Sequence, residues 1–177
     1  MSGVGRRGFI GLAAGAPLAM GALPAWGQRA DAGALLILFD PTMAASARLA
    51  DQVRKHGAAV LALSGDRIRF MRDVVASRPR VIAGMTSYAD FLLLSGTAAE
   101  SGFRLDSHAQ HRNITCATHR CFGRWRRADG MLDASADAWP EAMAALMTGA
   151  PPSPRTDAAN PARPGIAATS WMLRRRA

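Results

Sequence analysis

Residues 34–41 read Ala-Leu-Leu-Ile-Leu-Phe-Asp-Pro, a continuous apolar run that ends in two turn-forming residues. Similar runs occupy residues 58–63 and 80–83, and each is followed by residues that favour turns. A short segment that is apolar on both faces and ends in a turn is typical of a buried parallel strand. The three runs therefore predict the first three strands of a parallel sheet.

The segments between these runs have the features of helices. Asp40, Asp66 and Ser87 each precede such a segment, and aspartate and serine are favoured N-cap residues. The first helix is predicted to end near Gly57 and the second before Pro79. The resulting β-α-β-α-β-α order, joined by right-handed crossovers, predicts a three-layer α/β fold with a mainly parallel sheet.

The rest of the chain predicts less regular additions to this sheet. An antiparallel hairpin at the sheet edge is followed by a helix and then by a final strand or arm. The predicted hairpin pairs residues 103–112 with residues 121–127. The helix is predicted over residues 137–147, and the final strand or arm over residues 166–173. Five prolines between residues 150 and 165 indicate a linker.

The first 27 residues have the composition of an export signal. Arg6 and Arg7 precede an uncharged stretch, and Ala25-Trp26-Gly27 places small residues at the two positions that a signal peptidase reads. The order Arg-Arg-x-Phe-Ile resembles the twin-arginine (Tat) signal of bacteria. The resemblance implies that a folded protein is carried to the periplasm or out of the cell. A membrane anchor is disfavoured, because a spanning helix needs about 20 well-apolar residues and Pro17 interrupts this stretch.

Length and charge limit the organisation and the partners of the chain. We predict a cleavable signal over 1–27, an α/β domain over 28–149, and a Pro-rich linker with a basic C-terminal arm or strand over 150–177. The chain carries 22 Lys and Arg against 13 Asp and Glu, a net charge of +9. In an exported protein this excess favours an anionic small molecule, an acidic protein or an anionic membrane surface, and it argues against nucleic acid.

Polar residues follow the three predicted strands at ends that would share one edge of the sheet. Open parallel sheets bind ligands at that edge, where helix N-termini also favour anions. We therefore predict a candidate site for a small anionic or polyhydroxylated ligand, although helix capping alone would also explain these residue types. The candidate residues are Asp40, Ser64, Asp66, Thr86 and Ser87.

A second candidate site combines three of the four histidines with both cysteines. Imidazole and thiolate suit zinc or copper, but the spacing matches no standard zinc module. Two cysteines in an exported chain favour a disulfide, so we predict a Cys116–Cys121 bond and no cofactor. Free thiols and a site for zinc or copper are the alternatives. The cluster comprises His108, His111, Cys116, His119 and Cys121.

Arginine and aromatic residues alternate near the predicted edge hairpin. Trp125 lies among Arg124, Arg126 and Arg127, and Arg174–Arg176 follow Trp171. Such mixtures can hold nucleic acid or anionic lipid. Such a pattern is more often the solvated face of an edge strand whose tryptophan turns inward, and we expect that arrangement here.

Three classes of function are consistent with these patterns. We favour an exported cell-envelope protein that binds a small ligand or acts as an accessory protein. The alternatives are a small hydrolase or transferase that uses the strand-end edge, and a metal-handling protein that uses the histidine and cysteine cluster. The turn after the first run lacks the glycines of a dinucleotide site, and no nucleophile elbow is present. The sequence therefore names no catalytic residue and leaves open whether the protein is an enzyme.

Overall fold

The computed structural model describes residues 35–111, 119–151 and 167–176, with the backbone only at residues 119, 120 and 136. In this part of the chain a six-stranded sheet lies between two layers of helices, so the predicted three-layer α/β fold is confirmed. The strands are β1 (Leu35–Phe39), β2 (Ala59–Ala62), β3 (Val81–Thr86), β4 (Phe103–His111), β5 (His119–Gly123) and β6 (Ala168–Arg175). The helices are α1 (Ala44–Lys55), α2 (Arg67–Ala76), α3 (Tyr88–Glu100), α4 (Asp129–Ala134) and α5 (Trp139–Thr148).

Across the sheet the strands follow the order β2-β1-β3-β6-β4-β5. As predicted, β1 is parallel to both β2 and β3, and Ile37 lies between Val60 and Ala83 in the register. The third strand is longer than predicted. Gly84, which we expected in a turn, stays in β3 because β6 supplies an antiparallel partner along the whole strand.

The last strand occupies the interior of the sheet. β6 is antiparallel to both of its neighbours, β3 and β4, and every residue from Ala168 to Leu173 is buried. The predicted hairpin, β4 with β5, does lie at the edge. Of the two alternatives for the C-terminal segment, arm or strand, the structure has the strand. β6 also joins the two parts of the sheet, because β3 and β4 do not pair with each other.

The two helical layers bury separate cores. On one face, α1 and α5 cover Ile37 and Met85, and on the other α2 and α3 cover Leu38 and Ile82. α1 and α5 are also joined by a bidentate pair, in which Arg48 donates to both carboxylate oxygens of Glu141 at 2.9 and 2.8 Å. No described helix is both long and apolar enough to cross a membrane.

The predicted second strand of the hairpin is shorter than expected. β5 ends at Gly123, and Arg124–Arg127 form a 3-10 turn instead of continuing the strand. Gly123 has a φ of 70°, and a side chain there would collide with the backbone carbonyl of Asp106, where β4 has a register shift. Trp125 is buried while the neighbouring arginines are exposed, which confirms the expected inward tryptophan.

Trp171 on β6 is fully buried against a glycine of the neighbouring strand. A Cβ at Gly84 would lie 2.8 Å from Cζ2 of Trp171 and 2.6 Å from the carbonyl oxygen of Leu38. The indole Nε1 donates to Oγ1 of Thr86 at 3.1 Å. The missing side chain at position 84 therefore makes the space that the indole occupies.

We expect Gly84→Ala to lower the free energy of unfolding by about 1–3 kcal/mol, the usual cost of overpacking a core. Gly96→Ala is the matched control, because α3 leaves open space around Gly96 and alanine favours helix. Urea denaturation of both variants measures the difference. A Gly84→Ala variant as stable as the native protein would contradict this account of the Trp171 site.

Candidate functional site

The carboxyl ends of β1, β2, β3 and β4 share one edge of the sheet, called the rim below. After β1 the chain passes through α1 to β2, which lies toward one edge of the sheet. After β3 it passes through α3 to β4, which lies toward the opposite edge. The strand order therefore changes direction between β1 and β3, and such a switch point is where open α/β sheets bind ligands. Asp40 follows β1 and Thr86 ends β3, so these two residues flank the switch point.

Asp40 does not cap α1, so that part of the sequence prediction is wrong. The helix begins at Ala44, and its N-cap residue, Met43, makes no side-chain capping bond. The Asp40 carboxylate instead accepts hydrogen bonds from the backbone N–H of Thr42 at 2.9 Å and from its hydroxyl at 2.6 Å. Both bonds are accepted by Oδ1 and close a local turn before the helix begins.

A buried serine that the sequence analysis missed connects the two sides of the switch point. The hydroxyl of Ser46 accepts from the N–H of Asp40 at 2.9 Å and donates to the carbonyl of Met85 at 2.6 Å. Because β1 and β3 are thus joined through α1, the ends of these strands are held in a defined geometry. In sequence, Ser46 is only one small residue among alanines, so nothing marked it out.

The predicted caps of α2 and α3 are confirmed. Asp66 accepts from the N–H of Arg69 at 2.7 Å, and Ser87 accepts from the N–H of Asp90 at 3.0 Å. Thr86 is buried, accepts from the Trp171 indole and donates to the carbonyl of Ser87 at 2.9 Å. Ser64 is exposed. The five candidate residues thus share the rim, and their role in binding a ligand stays a prediction.

An ion pair joins the N-termini of α2 and α3 at the rim. Nε of Arg67 lies 2.8 Å from Oδ1 of Asp90, and a second nitrogen donates to the carbonyl of Gly65 at 3.1 Å. The Asp90 side chain is only 16% exposed. The positive charge of Arg67 is therefore already matched by a carboxylate of the protein.

A histidine and a serine form a buried polar contact near the rim end of β4. Nε2 of His111 lies 2.8 Å from Oγ of Ser170, and its ring packs 4.2 Å from that of Trp139, centroid to centroid. Both members of the pair are almost fully buried, at 1% and 0% exposure. This contact ties β4, β6 and α5 together, and its burial gives a substrate no direct access.

The sheet separates the members of the predicted histidine and cysteine cluster. His108 packs between Phe91 and Phe122 on the α2–α3 face, whereas His111 lies on the α1–α5 face, so one ion cannot bind both. Cys121 belongs to the α1–α5 core. Cys116 and the side chain of His119 lie outside the described residues. No group of three metal-ligating side chains occurs in the described part, and the metal site and the disulfide both stay predictions.

His108 stacks at 4.4 Å on Phe122 and at 5.9 Å on Phe91, measured between ring centroids. Burial lowers the pKa of His108 below its ordinary value, because the stacked rings displace water from the charged form. A neutral imidazole in this position acts as one more flat ring in an aromatic stack.

Burial also changes the chemistry of Cys121. It raises the pKa of the thiol to about 12, with further contributions from a hydrogen bond to Asp129 and from the charges of Asp129 and Asp133. The thiol is therefore protonated at neutral pH, whereas nucleophilic attack and metal binding both use the thiolate.

Comparison of the chain with protein-family models, curated proteins and solved structures found no match.

Under reducing conditions we expect the free energy of unfolding to decrease as the pH rises from about 9 to about 12. The pKa of Cys121 is higher in the folded protein, so its stabilising effect is complete below about pH 9 and is lost as the pH approaches 12. Urea titrations across this range measure the slope. Cys121→Ala should reduce the slope of the free energy of unfolding against pH, whereas Cys116→Ala should leave this slope unchanged. Equal slopes in the two variants would disprove that Cys121 causes the loss of stability.

Proposed function

We propose that this chain is an exported protein of the bacterial cell envelope that binds a small ligand at the rim or acts as an accessory protein there. The observation that carries the binding proposal is the switch point between β1 and β3, flanked by Asp40 and Thr86. Ligands of open α/β sheets bind in the crevice outside the strand ends at such a point. The bond network of Ser46 supports the same proposal, because it holds the two strand ends in one arrangement.

The charges at the rim favour a neutral polyhydroxylated ligand over an anionic one. Asp40, Asp66 and Asp90 lie near the starts of the segments after β1, β2 and β3, and residues 40–42, 64–69 and 86–90 carry these three acids against two basic residues, Arg67 and Arg69. Arg67 is paired with Asp90, and capping side chains occupy the N-termini of α2 and α3. Carboxylates and hydroxyls are suitable partners for the hydroxyl groups of a sugar-like ligand.

A binding screen against neutral monosaccharides and polyols, with inorganic phosphate as the anionic comparison, tests the proposal. We expect a neutral compound to raise the melting temperature, and Asp40→Asn to weaken its binding about tenfold or more through loss of a charged hydrogen-bond acceptor. Asp73→Asn, an exposed position in the second half of α2 and away from the rim, is the matched control and should change affinity by less than about threefold. Binding of phosphate alone, or equal effects of the two substitutions, would contradict a neutral ligand at the switch point.

The export part of the proposal rests on Arg6 and Arg7, which lie outside the described residues. If the segment acts as a Tat signal, Arg6→Lys with Arg7→Lys should leave the uncleaved protein in the cytoplasm, because that route reads the arginine pair. Cell fractionation with immunoblotting detects the two forms. Arg29→Lys, just beyond the signal, is the control and should be exported normally. Export of the double variant at the native level would rule out the twin-arginine route.

A further inference from the structure

Arginines from four separate segments meet at the end of the sheet opposite the rim. The N–H of Arg175 donates to the carbonyl of Arg80 at 3.0 Å, which places the end of β6 beside the start of β3. Arg104 on β4 stands opposite Arg174 on β6, and the N–H of Arg176 donates to the carbonyl of Gly102 at 2.9 Å. The 3-10 turn that carries Arg124, Arg126 and Arg127 follows β5 at the same end. We call this surface the basic end.

The positive charge of the described chain is concentrated there. Nine arginines and two acids, Glu100 and Asp106, lie in the four segments that form the basic end, which are residues 78–82, 100–106, 123–127 and 173–176. The remaining described residues carry seven basic side chains and nine acids. The molecule is therefore strongly polarised, and the net positive charge of the described part comes from the basic end.

The acid at the centre of this surface does not neutralise it. Oδ1 of Asp106 lies 3.3 Å from Nε of Arg124 and 3.2 Å from Nε of Arg174. The Asp106 side chain is 10% exposed, whereas that of Arg124 is 70% exposed. One carboxylate thus lies beneath two guanidinium groups and holds them in place, and their outer sides stay available to an anionic partner.

Exposed apolar side chains border the basic end on one face of the sheet. Leu105 is 45% exposed and stands opposite Leu173, and Phe122 is 44% exposed and stands opposite His108. Both lie on the α2–α3 face, because their register partners Leu173 and His108 pack on that side of the sheet. Arginines beside a small exposed apolar surface match the interface of a bilayer, where anionic headgroups lie next to hydrocarbon.

Among the described aromatic residues at this end, Phe122 alone is exposed, and one face of its ring already stacks on His108, so no row of free rings is available to nucleic acid bases. Trp125 is buried, and the guanidinium of Arg175 covers the ring of Phe103 at 4.9 Å. Proteins that bind single-stranded nucleic acid stack its bases on exposed aromatic rings.

We propose that the basic end docks on an anionic lipid bilayer, with its arginines on the headgroups and Leu105 at the hydrocarbon boundary. The rim then faces away from the membrane.

Sedimentation of the full chain with vesicles tests this proposal. Vesicles of equal parts phosphatidylglycerol and phosphatidylcholine should retain the protein, whereas vesicles of phosphatidylcholine alone should not. Binding should weaken strongly when salt rises from about 0.1 to 1 M, which shortens the Debye length from about 10 to 3 Å. Retention by neutral vesicles to the same degree would overturn the proposal.

Two matched double variants distinguish an effect of the basic end from an effect of the net charge of the whole protein. Arg104→Gln with Arg176→Gln should lower the vesicle partition coefficient about thirtyfold, since each arginine near an anionic surface contributes about fivefold. Arg69→Gln with Arg72→Gln removes the same charge from exposed positions on α2 and should have a much smaller effect. Circular dichroism checks that all variants are folded. Equal losses in the two pairs would overturn the assignment to the basic end.

Two further measurements distinguish a lipid bilayer from other anionic partners. Leu105→Asn should weaken binding several-fold, and this loss should persist at high salt because the contact is apolar. A single-stranded DNA oligonucleotide should bind more weakly than the anionic vesicles at the same salt concentration. Tighter binding to DNA, or an unchanged partition coefficient for Leu105→Asn, would contradict a bilayer as the partner.

Discussion

The contact between Trp171 and Gly84 is the constraint on which the rest of the sheet depends. β6 is the only described strand that joins the β1–β3 part to the β4–β5 part, and its largest side chain fits only because position 84 has none. The same indole donates to Thr86 at the rim, so the core packing also sets the end of β3. A change in this contact would therefore disturb both the core and the candidate site.

Much of the fold could be predicted because its signals are local. Asp66 and Ser87 cap the helices that directly follow them, and the run before Asp40 is apolar on both faces because β1 is central. The interior position of β6 depends on pairing with strands far away in the sequence, which no local pattern encodes. The candidate site was predicted as a set of residues but not as a network. The partners of Asp40 and the role of Ser46 follow from the meeting of α1 with β3.

The histidine and cysteine cluster shows how sequence proximity can mislead. His108 and His111 are three residues apart on a strand, and alternate residues of a strand face opposite sides. One histidine is therefore part of an aromatic stack, and the other is hydrogen-bonded to Ser170 on the opposite face of the sheet. Burial then gives Cys121 a protonated thiol. Residues that look like one chemical site belong to two different cores.

The interior position of β6 has a consequence for biosynthesis. Synthesis proceeds from the N-terminus, so every other described element has been made before residues 168–175 leave the ribosome. Until then β3 and β4 each present an unpaired edge, and open strand edges can pair with other chains. The nascent protein therefore stays incomplete and open to aggregation until its synthesis has passed β6.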